Sequence, residues 1–209
     1  ALLGWMKEFG TDISVISNLN GIFYKNTQHA NDELQEWISS KRTYKDRFIP
    51  SAVINPVYGG WRDDFNNCVS RYGCKGIRLY PQYHRYDISN PFCVELVKMC
   101  RDKGLPVVFC LRMVDSRTSS WLDIEKEWSL TDIVPMVRAV PDAKYLIVNV
   151  VNSTTLSEED TALFRKADIL MDSSGRSITD WTDLFKQFGT DHFCFGTQSP
   201  VLDYCTGLL

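Results

Sequence analysis

The chain lacks any long hydrophobic run. Its longest apolar stretches have the length of a strand, as in residues 106–111, whereas a membrane-spanning helix requires about 20 apolar residues. No segment has the pattern of a signal peptide. We therefore expect no membrane partner and a cytoplasmic location.

A surplus of positive charge is also missing. Lys and Arg total 23 against 26 Asp and Glu in 209 residues, a formal net charge of −3, so no general field attracts nucleic acid. Neither of the glycine-rich phosphate-binding motifs, GxGxxG and GxxxxGK[ST], occurs. The sequence therefore predicts a small-molecule partner rather than nucleic acid or a dinucleotide, and leaves association into a homo-oligomer open.

The seven cysteines include no CxxC pair. Cys68, Cys93 and Cys100 fall on apolar faces of predicted helices, whereas the bridges of small secreted domains usually staple loops. We expect these thiols to be reduced core residues. A redox or structural disulfide framework is not predicted.

Helix and strand patterns alternate along the chain. Apolar residues at helical spacing lead to Gly73 and then to a strand, and a second helix begins at Asn90 and Pro91 and stops at Gly104. Ser129 and Ser157 are placed to cap later helices. Seven strands are predicted in all, at residues 13–19, 47–55, 76–81, 106–113, 144–151, 168–173 and 192–197.

Several of these strands are continuously apolar, as residues 107–109 and 146–148 show. Such strands are typical of parallel sheets covered on both faces. The pattern allows an open doubly wound sheet or a closed barrel. We expect an α/β fold of the (β/α)8 TIM-barrel type, one domain over residues 1–209, with its first strand and its C-terminal tail outside this chain.

Polar residues at the carboxyl ends of the strands are the candidates for a site, because reactive groups gather there in barrels and open sheets alike. Arg78 and Arg112 lie near the carboxyl ends of neighbouring predicted strands and are suited to clamp a carboxylate. The alternative is a structural pairing of either arginine with Asp172. The candidates for substrate binding are Arg78, Tyr80, Arg112, Asn149 and Gln198.

Three residues are candidates for catalysis, each with a plainer alternative. Asp172 is either a general base or a loop cap. His84 is either a proton carrier or a solvated loop histidine, and Cys110 is either a nucleophile or a packed thiol. A three-histidine metal site is not expected, because His84 alone among the three histidines follows a strand end.

Three sequence blocks, at residues 73–81, 104–109 and 195–200, resemble the amidohydrolase superfamily, in particular its amidohydrolase-related branch of metal-dependent hydrolases and decarboxylases. The resemblance implies a (β/α)8 barrel whose metal is held by an HxH pair on the first strand, histidines ending the fifth and sixth strands, and an aspartate ending the eighth. Cys110, Asn149 and Gln198 stand at the last three of these positions. We therefore expect no metal at this site, and zinc only if an HxH segment precedes Ala1.

Two functions follow from the resemblance and the residues. The first is a hydrolase or decarboxylase of a small carboxylate-bearing molecule or lactone that works without the usual metal site. The second is a catalytically inactive relative that serves as a ligand-binding or protein-interaction module. The sequence leaves both open.

Overall fold

The computed structural model describes residues 2–113, 128–150, 156–175, 181–202 and 204. The chain divides into two compact units, Ala1–His84 and Arg85–Leu209, and each is described by itself. No helix in the described ranges is long and apolar enough to cross a membrane.

The first unit contains three parallel strands that pair in chain order. They are β1 (Ser14–Ile16), β2 (Phe48–Val53) and β3 (Gly76–Leu79). The helices of this unit are α1 (Leu2–Glu8), α2 (Gln28–Ser39), α3 (Arg42–Arg47), α4 (Trp61–Ser70) and α5 (Pro81–His84), with a 3₁₀ turn at Leu19–Ile22.

Helix α2 of the first unit is attached to β2 by a buried side chain. Ala30, Asn31, Leu34 and Ile38 form its buried face at helical spacing. Asn31 Nδ2 donates to the Val53 carbonyl at 2.9 Å, and Asn31 Oδ1 accepts from the Val53 N–H at 2.8 Å. The amide therefore satisfies both backbone groups at the end of β2.

The second unit contains four parallel strands that also pair in chain order. They are β4 (Val107–Cys110), β5 (Lys144–Val148), β6 (Asp168–Asp172) and β7 (Phe193–Cys194). The helices are α6 (Pro91–Asp102), α7 (Leu130–Ala139), α8 (Glu158–Lys166) and α9 (Trp181–Phe188), with a 3₁₀ turn at Thr190–His192.

The helix starts of the second unit carry the caps that the sequence predicts. Asn90 accepts a hydrogen bond from the Phe92 N–H at 2.9 Å, and Pro91 opens α6. Ser129 forms a capping box at α7, and Ser157 accepts from the Asp160 N–H at α8. All four residues of β4 are buried, as the continuous apolar pattern indicates.

The seven predicted strands are confirmed in number and in parallel direction within the described residues. Several predicted strands are longer than the observed ones. The strand predicted at residues 192–197 is the two-residue β7, and the strand predicted at residues 106–113 is the four-residue β4. Helices α3 and α5 were not expected. The six described cysteines are free thiols, and Cys68, Cys93 and Cys100 are buried on helices.

Candidate functional site

Polar side chains of the second unit gather where its strands end. Cys110 ends β4, Asn149 follows β5, Asp172 ends β6 and Gln198 lies in the segment after β7, while Arg112 lies just beyond Cys110. We call these five residues the strand-end cluster. The carboxyl ends of parallel strands lie at one edge of the sheet, and hydrogen bonds connect the five residues to one another.

The backbone carbonyl of Arg112 is the centre of the strand-end cluster. Asn149 Nδ2 donates to it at 2.6 Å, Gln198 Nε2 at 2.9 Å and the Cys110 thiol at 3.0 Å. A carbonyl oxygen offers two lone pairs, so three donors crowd this acceptor. These bonds join the end of β4 to the segments after β5 and β7.

Cys110 has the surroundings of a packed thiol. Its Sγ lies 3.2 Å from Met113 Sδ and accepts from Gln198 Nε2 at 3.0 Å. The residue is 8% exposed. A nucleophilic thiol needs an adjacent base and access to substrate, and these contacts favour the packing role.

Asp172 is held by hydrogen bonds at the end of β6. Its Oδ1 accepts from the Asn149 N–H and from the Ser174 hydroxyl, each at 2.8 Å. Asp172 is 4% exposed and Ser174 is fully buried. Charge-assisted bonds of this kind are stronger than bonds between neutral groups, so Asp172 fixes the backbone after β5.

Gly196 allows the segment after β7 to pass close to Asp172. A Cβ atom at residue 196 would lie 2.7 Å from Asp172 Cβ. Cys194, two residues earlier, is also close enough to Asp172 to interact with its charge. Burial and, to a lesser degree, the Asp172 charge raise the pKa of Cys194 to about 11. The thiol of Cys194 is therefore protonated at neutral pH.

Asn149 and Gln198 share two unusual features. Their backbone φ angles are +58° and +51°, in the left-handed region that residues other than glycine rarely adopt. Their amide oxygens, Asn149 Oδ1 and Gln198 Oε1, are buried and have no hydrogen-bond partner in the described part of the chain. Backbone strain and unsatisfied polar atoms both cost free energy, and strain of this kind concentrates at functional sites.

The first unit carries a separate polar group where β1 and β3 end. Arg78, on β3, donates from Nη1 to the Ser17 hydroxyl at 3.2 Å, and Ser17 directly follows β1. The guanidinium also lies over the Tyr80 ring, 5.4 Å from its centroid. Arg78 and Tyr80 thus form a cation–π pair.

The ring of His84 contacts a backbone carbonyl and an aromatic ring of the first unit. The residue ends the short helix α5, is half-buried, and its Nε2 lies 2.8 Å from the Gly21 carbonyl. Its ring meets the Tyr80 ring edge to face at 6.2 Å. Burial lowers the pKa of His84 below its ordinary value, against the opposing effect of the Gly21 hydrogen bond, so the ring is neutral at pH 7.

The described residues of the predicted site form two groups, one within each unit. Cys110, Arg112, Asn149, Asp172 and Gln198 are joined within the second unit, whereas Arg78, Tyr80 and His84 are joined within the first. The carboxylate clamp by Arg78 and Arg112 stays a prediction, since the two residues belong to different units.

Sequence reasoning missed two residues of the second unit that support Asp172. Ser174 binds its carboxylate, and Gly196 makes room for its side chain. Nothing local distinguishes Ser174 from Ser173 beside it. Gly196 does carry a signal, because a glycine inside a strand pattern indicates close approach of another group.

Solved structures show which fold these units belong to. The 2,6-dihydroxybenzoate decarboxylase from Rhizobium matches with a TM-score of 0.75 and 14% identity over 99% of this chain and 79% of that one. Dihydroxybenzoic acid decarboxylase from Polaromonas, with bound manganese and the inhibitor 2-nitroresorcinol, matches with a TM-score of 0.71 and 12% identity over 99% of this chain and 76% of that one. Amidohydrolase 2 from Bifidobacterium longum subsp. infantis matches with a TM-score of 0.63 and 16% identity over 99% of this chain and 75% of that one.

The chain therefore has the fold of amidohydrolase-type decarboxylases and hydrolases, and the resemblance drawn from the sequence is confirmed at the level of the fold. The sequence matches no protein-family model and no curated protein. At identities of 12–16% the likeness assigns an architecture and leaves the chemistry to the residues of this chain.

Manganese is bound in the Polaromonas structure. No group of three or more His, Cys, Asp or Glu side chains in the described ranges could hold a metal ion. The S–H of Cys110 and the amide N–H groups of Asn149 and Gln198 are directed at the Arg112 carbonyl.

Proposed function

We propose that this chain binds a small aromatic carboxylate and hydrolyses or decarboxylates it at the carboxyl ends of its strands, without metal ligands from Cys110, Asn149 and Gln198. The observation that carries the proposal is the strand-end cluster built around Arg112 on the fold of carboxylate-processing enzymes. The compound in the name of the Rhizobium neighbour, 2,6-dihydroxybenzoate, is a ligand of this kind.

Arg112 is the group that we assign to the substrate carboxylate, because a guanidinium offers paired donors in the geometry of a carboxylate. Asn149 and Gln198 are assigned to position it: both amides hold its carbonyl, so both fix the backbone from which the guanidinium extends.

Asp172 is assigned to proton transfer. Decarboxylation breaks the bond to the departing CO₂ and places a proton on the carbon that held it, while hydrolysis removes a proton from the attacking water. Asp172 is the carboxylate of the strand-end cluster. We assign packing to Cys110 and a structural role to His84, whose Nε2 is bonded to Gly21.

One observation favours the second candidate function, ligand binding without turnover. Asp172 is only 4% exposed and its Oδ1 already holds two hydrogen bonds of 2.8 Å, whereas a general base must be within reach of the substrate proton. In that case the cluster recognises the carboxylate, and the chain acts as a sensor or as part of an assembly.

The test is calorimetric titration with 2,6-dihydroxybenzoate, followed by a CO₂-release assay. Replacement of Arg112 by glutamine should weaken binding by about 10- to 100-fold, the loss expected for hydrogen bonds to a charged group. The matched control is Arg42→Gln, which removes the same charge from a side chain that is 95% exposed. The control should bind like the unaltered chain.

Asp172→Asn separates the two candidate functions. Release of CO₂ that Asp172→Asn abolishes, with binding retained, supports the enzyme. Binding with no CO₂ release or ester hydrolysis by the unaltered chain supports the binding module. Equal affinities of Arg112→Gln and Arg42→Gln contradict both, because each requires Arg112 to contact the carboxylate.

A further inference from the structure

Two cysteines of the first unit lie side by side at the junction of a helix and a strand. Cys68 is in the last turn of α4, and Cys74 comes just before β3. Gly73 between them has a φ of +68°, which reverses the chain. The Cys74 N–H then donates to the Cys68 carbonyl at 3.0 Å.

This backbone hydrogen bond limits how far apart the two cysteines can be. Adding the covalent distances from Cα to O and from N to Cα gives a Cα–Cα separation of at most about 7 Å. Disulfides span Cα–Cα separations of about 4.4–6.8 Å. Each thiol also shifts the pKa of the other, which places the two side chains within interaction distance.

We propose that Cys68 and Cys74 form an oxidisable dithiol site, which reacts with a small hydroperoxide and closes to an intramolecular disulfide. The proposal is independent of the function assigned to the strand-end cluster. Both residues are well buried, at 0% and 4% exposure, so a small oxidant that enters as the end of α4 opens is the expected reactant.

The environment assigns an order to the two sulfur atoms. The hydrogen bond to Cys74, with burial as the second cause, raises the pKa of Cys68, whereas the same bond lowers the pKa of Cys74. Cys74 is therefore the more easily deprotonated of the two thiols, and we assign the attack to its sulfur, because the thiolate is the nucleophilic form.

The reaction balances with one peroxide molecule. The Cys74 thiolate attacks a peroxide oxygen, the O–O bond breaks, and the departing hydroxide takes up the proton that Cys74 released, giving a sulfenic acid and water. The Cys68 sulfur then attacks the Cys74 sulfur and expels hydroxide, which leaves as water with the Cys68 proton. The two thiols lose two electrons and the peroxide gains them.

Disulfide formation would remove the Cys68 S–H group from a series of hydrogen bonds that extends to the protein surface. The Cys68 Sγ lies 3.5 Å from Gln28 Oε1, and Gln28 Nε2 donates to Asp32 at 2.6 Å. The Tyr72 hydroxyl donates to the same Asp32 oxygen at 2.6 Å. Oxidation therefore removes the thiol donor beside Gln28 without breaking the surface contacts of Asp32.

The chain contains a matched control pair in Cys93 and Cys100. Both are fully buried free thiols, but they lie seven positions apart on the one helix α6. At the rise of an α-helix their Cα atoms are about 10 Å apart, too far for a disulfide.

The experiment treats the folded, unaltered chain with hydrogen peroxide, alkylates it after unfolding without reductant, and maps its tryptic peptides by mass spectrometry. Cleavage at Arg62, Arg71 and Lys75 separates the two cysteines into peptides 63–71 and 72–75. We expect these peptides to be joined, with a loss of two hydrogen atoms that dithiothreitol reverses. Alkylatable Cys68 and Cys74 should disappear roughly tenfold faster than Cys93 and Cys100.

Two results would overturn the proposal. One is equal persistence of all four thiols under treatment that oxidises free glutathione completely. The other is conversion of Cys74 to its sulfinic acid with no joined peptide, which would place Cys68 out of reach. The variant Cys68→Ser should stop at the Cys74 sulfenic acid, which dimedone labels, and joined peptides containing Cys74 in that variant would show a different partner.

Discussion

The close approach of Gly196 to Asp172 makes one added methyl group a sharp probe of the strand-end cluster. In Gly196→Ala the new Cβ would lie 2.7 Å from Asp172 Cβ and 2.8 Å from Asp172 Cγ. Carbon atoms in contact prefer about 3.5–4.0 Å, so one of the two segments must move by about 1 Å.

Asp172 resists that movement, because its Oδ1 holds the Asn149 N–H and the Ser174 hydroxyl at 2.8 Å each. Overpacking of a core costs about 1–3 kcal/mol. Distortion of the hydrogen bonds to the carboxylate adds about 1–2 kcal/mol. We expect Gly196→Ala to lower the free energy of unfolding by about 2–5 kcal/mol.

Urea unfolding followed by tryptophan fluorescence measures this change, with Gly4→Ala as the matched control. A Cβ at Gly4 would have no heavy atom within 4 Å, and Gly4 lies inside α1. Alanine there should stabilise the chain by up to about 1 kcal/mol. The same unfolding midpoint for Gly196→Ala and Gly4→Ala would refute the contact with Asp172 and with it the described geometry of the cluster.

Three further predictions concern the first unit and the metal. Asn31→Leu should cost about 2–5 kcal/mol in urea unfolding, because both Val53 backbone groups lose their partner, whereas leucine at the exposed Asn66 should change stability by less than about 0.5 kcal/mol. Burial lowers the pKa of His84, so the unfolded chain binds a proton that the folded chain excludes. Stability should be full above about pH 6.5 and fall as the pH drops below it. In unfolding experiments from pH 8 to 5, the variant His84→Gln should show a flatter pH dependence. Dialysis against manganese followed by elemental analysis should leave well under one tightly held ion per chain, and a stoichiometric ion would show that metal ligands had been overlooked.

The repeating fold was predictable because its signals are local. Asn90 and Ser157 cap helices, and the continuous apolar run of β4 marks a buried parallel strand. The sequence does not predict helix α3, because this helix has no buried residue and therefore no hydrophobic periodicity. Helix α5 begins at Pro81, which the same pattern had assigned to the end of a strand.

The membership of the strand-end cluster was predictable, but its bonding was not. Topology alone places Cys110, Asn149, Asp172 and Gln198 at strand ends. The bond from Gln198 to the Arg112 carbonyl joins residues 86 positions apart, and no local pattern encodes it. The left-handed backbone at Gln198 is equally invisible in sequence, because glutamine carries no preference for that conformation.

A crystal structure of the chain soaked with 2,6-dihydroxybenzoate would show whether Arg112 holds the ligand. We expect the ligand carboxylate within hydrogen-bond distance of the Arg112 guanidinium, at the carboxyl ends of β4–β7, with Asn149 and Gln198 still bonded to the Arg112 carbonyl. A ligand bound elsewhere, or an Arg112 side chain that makes no contact with the carboxylate at full occupancy, would contradict this expectation.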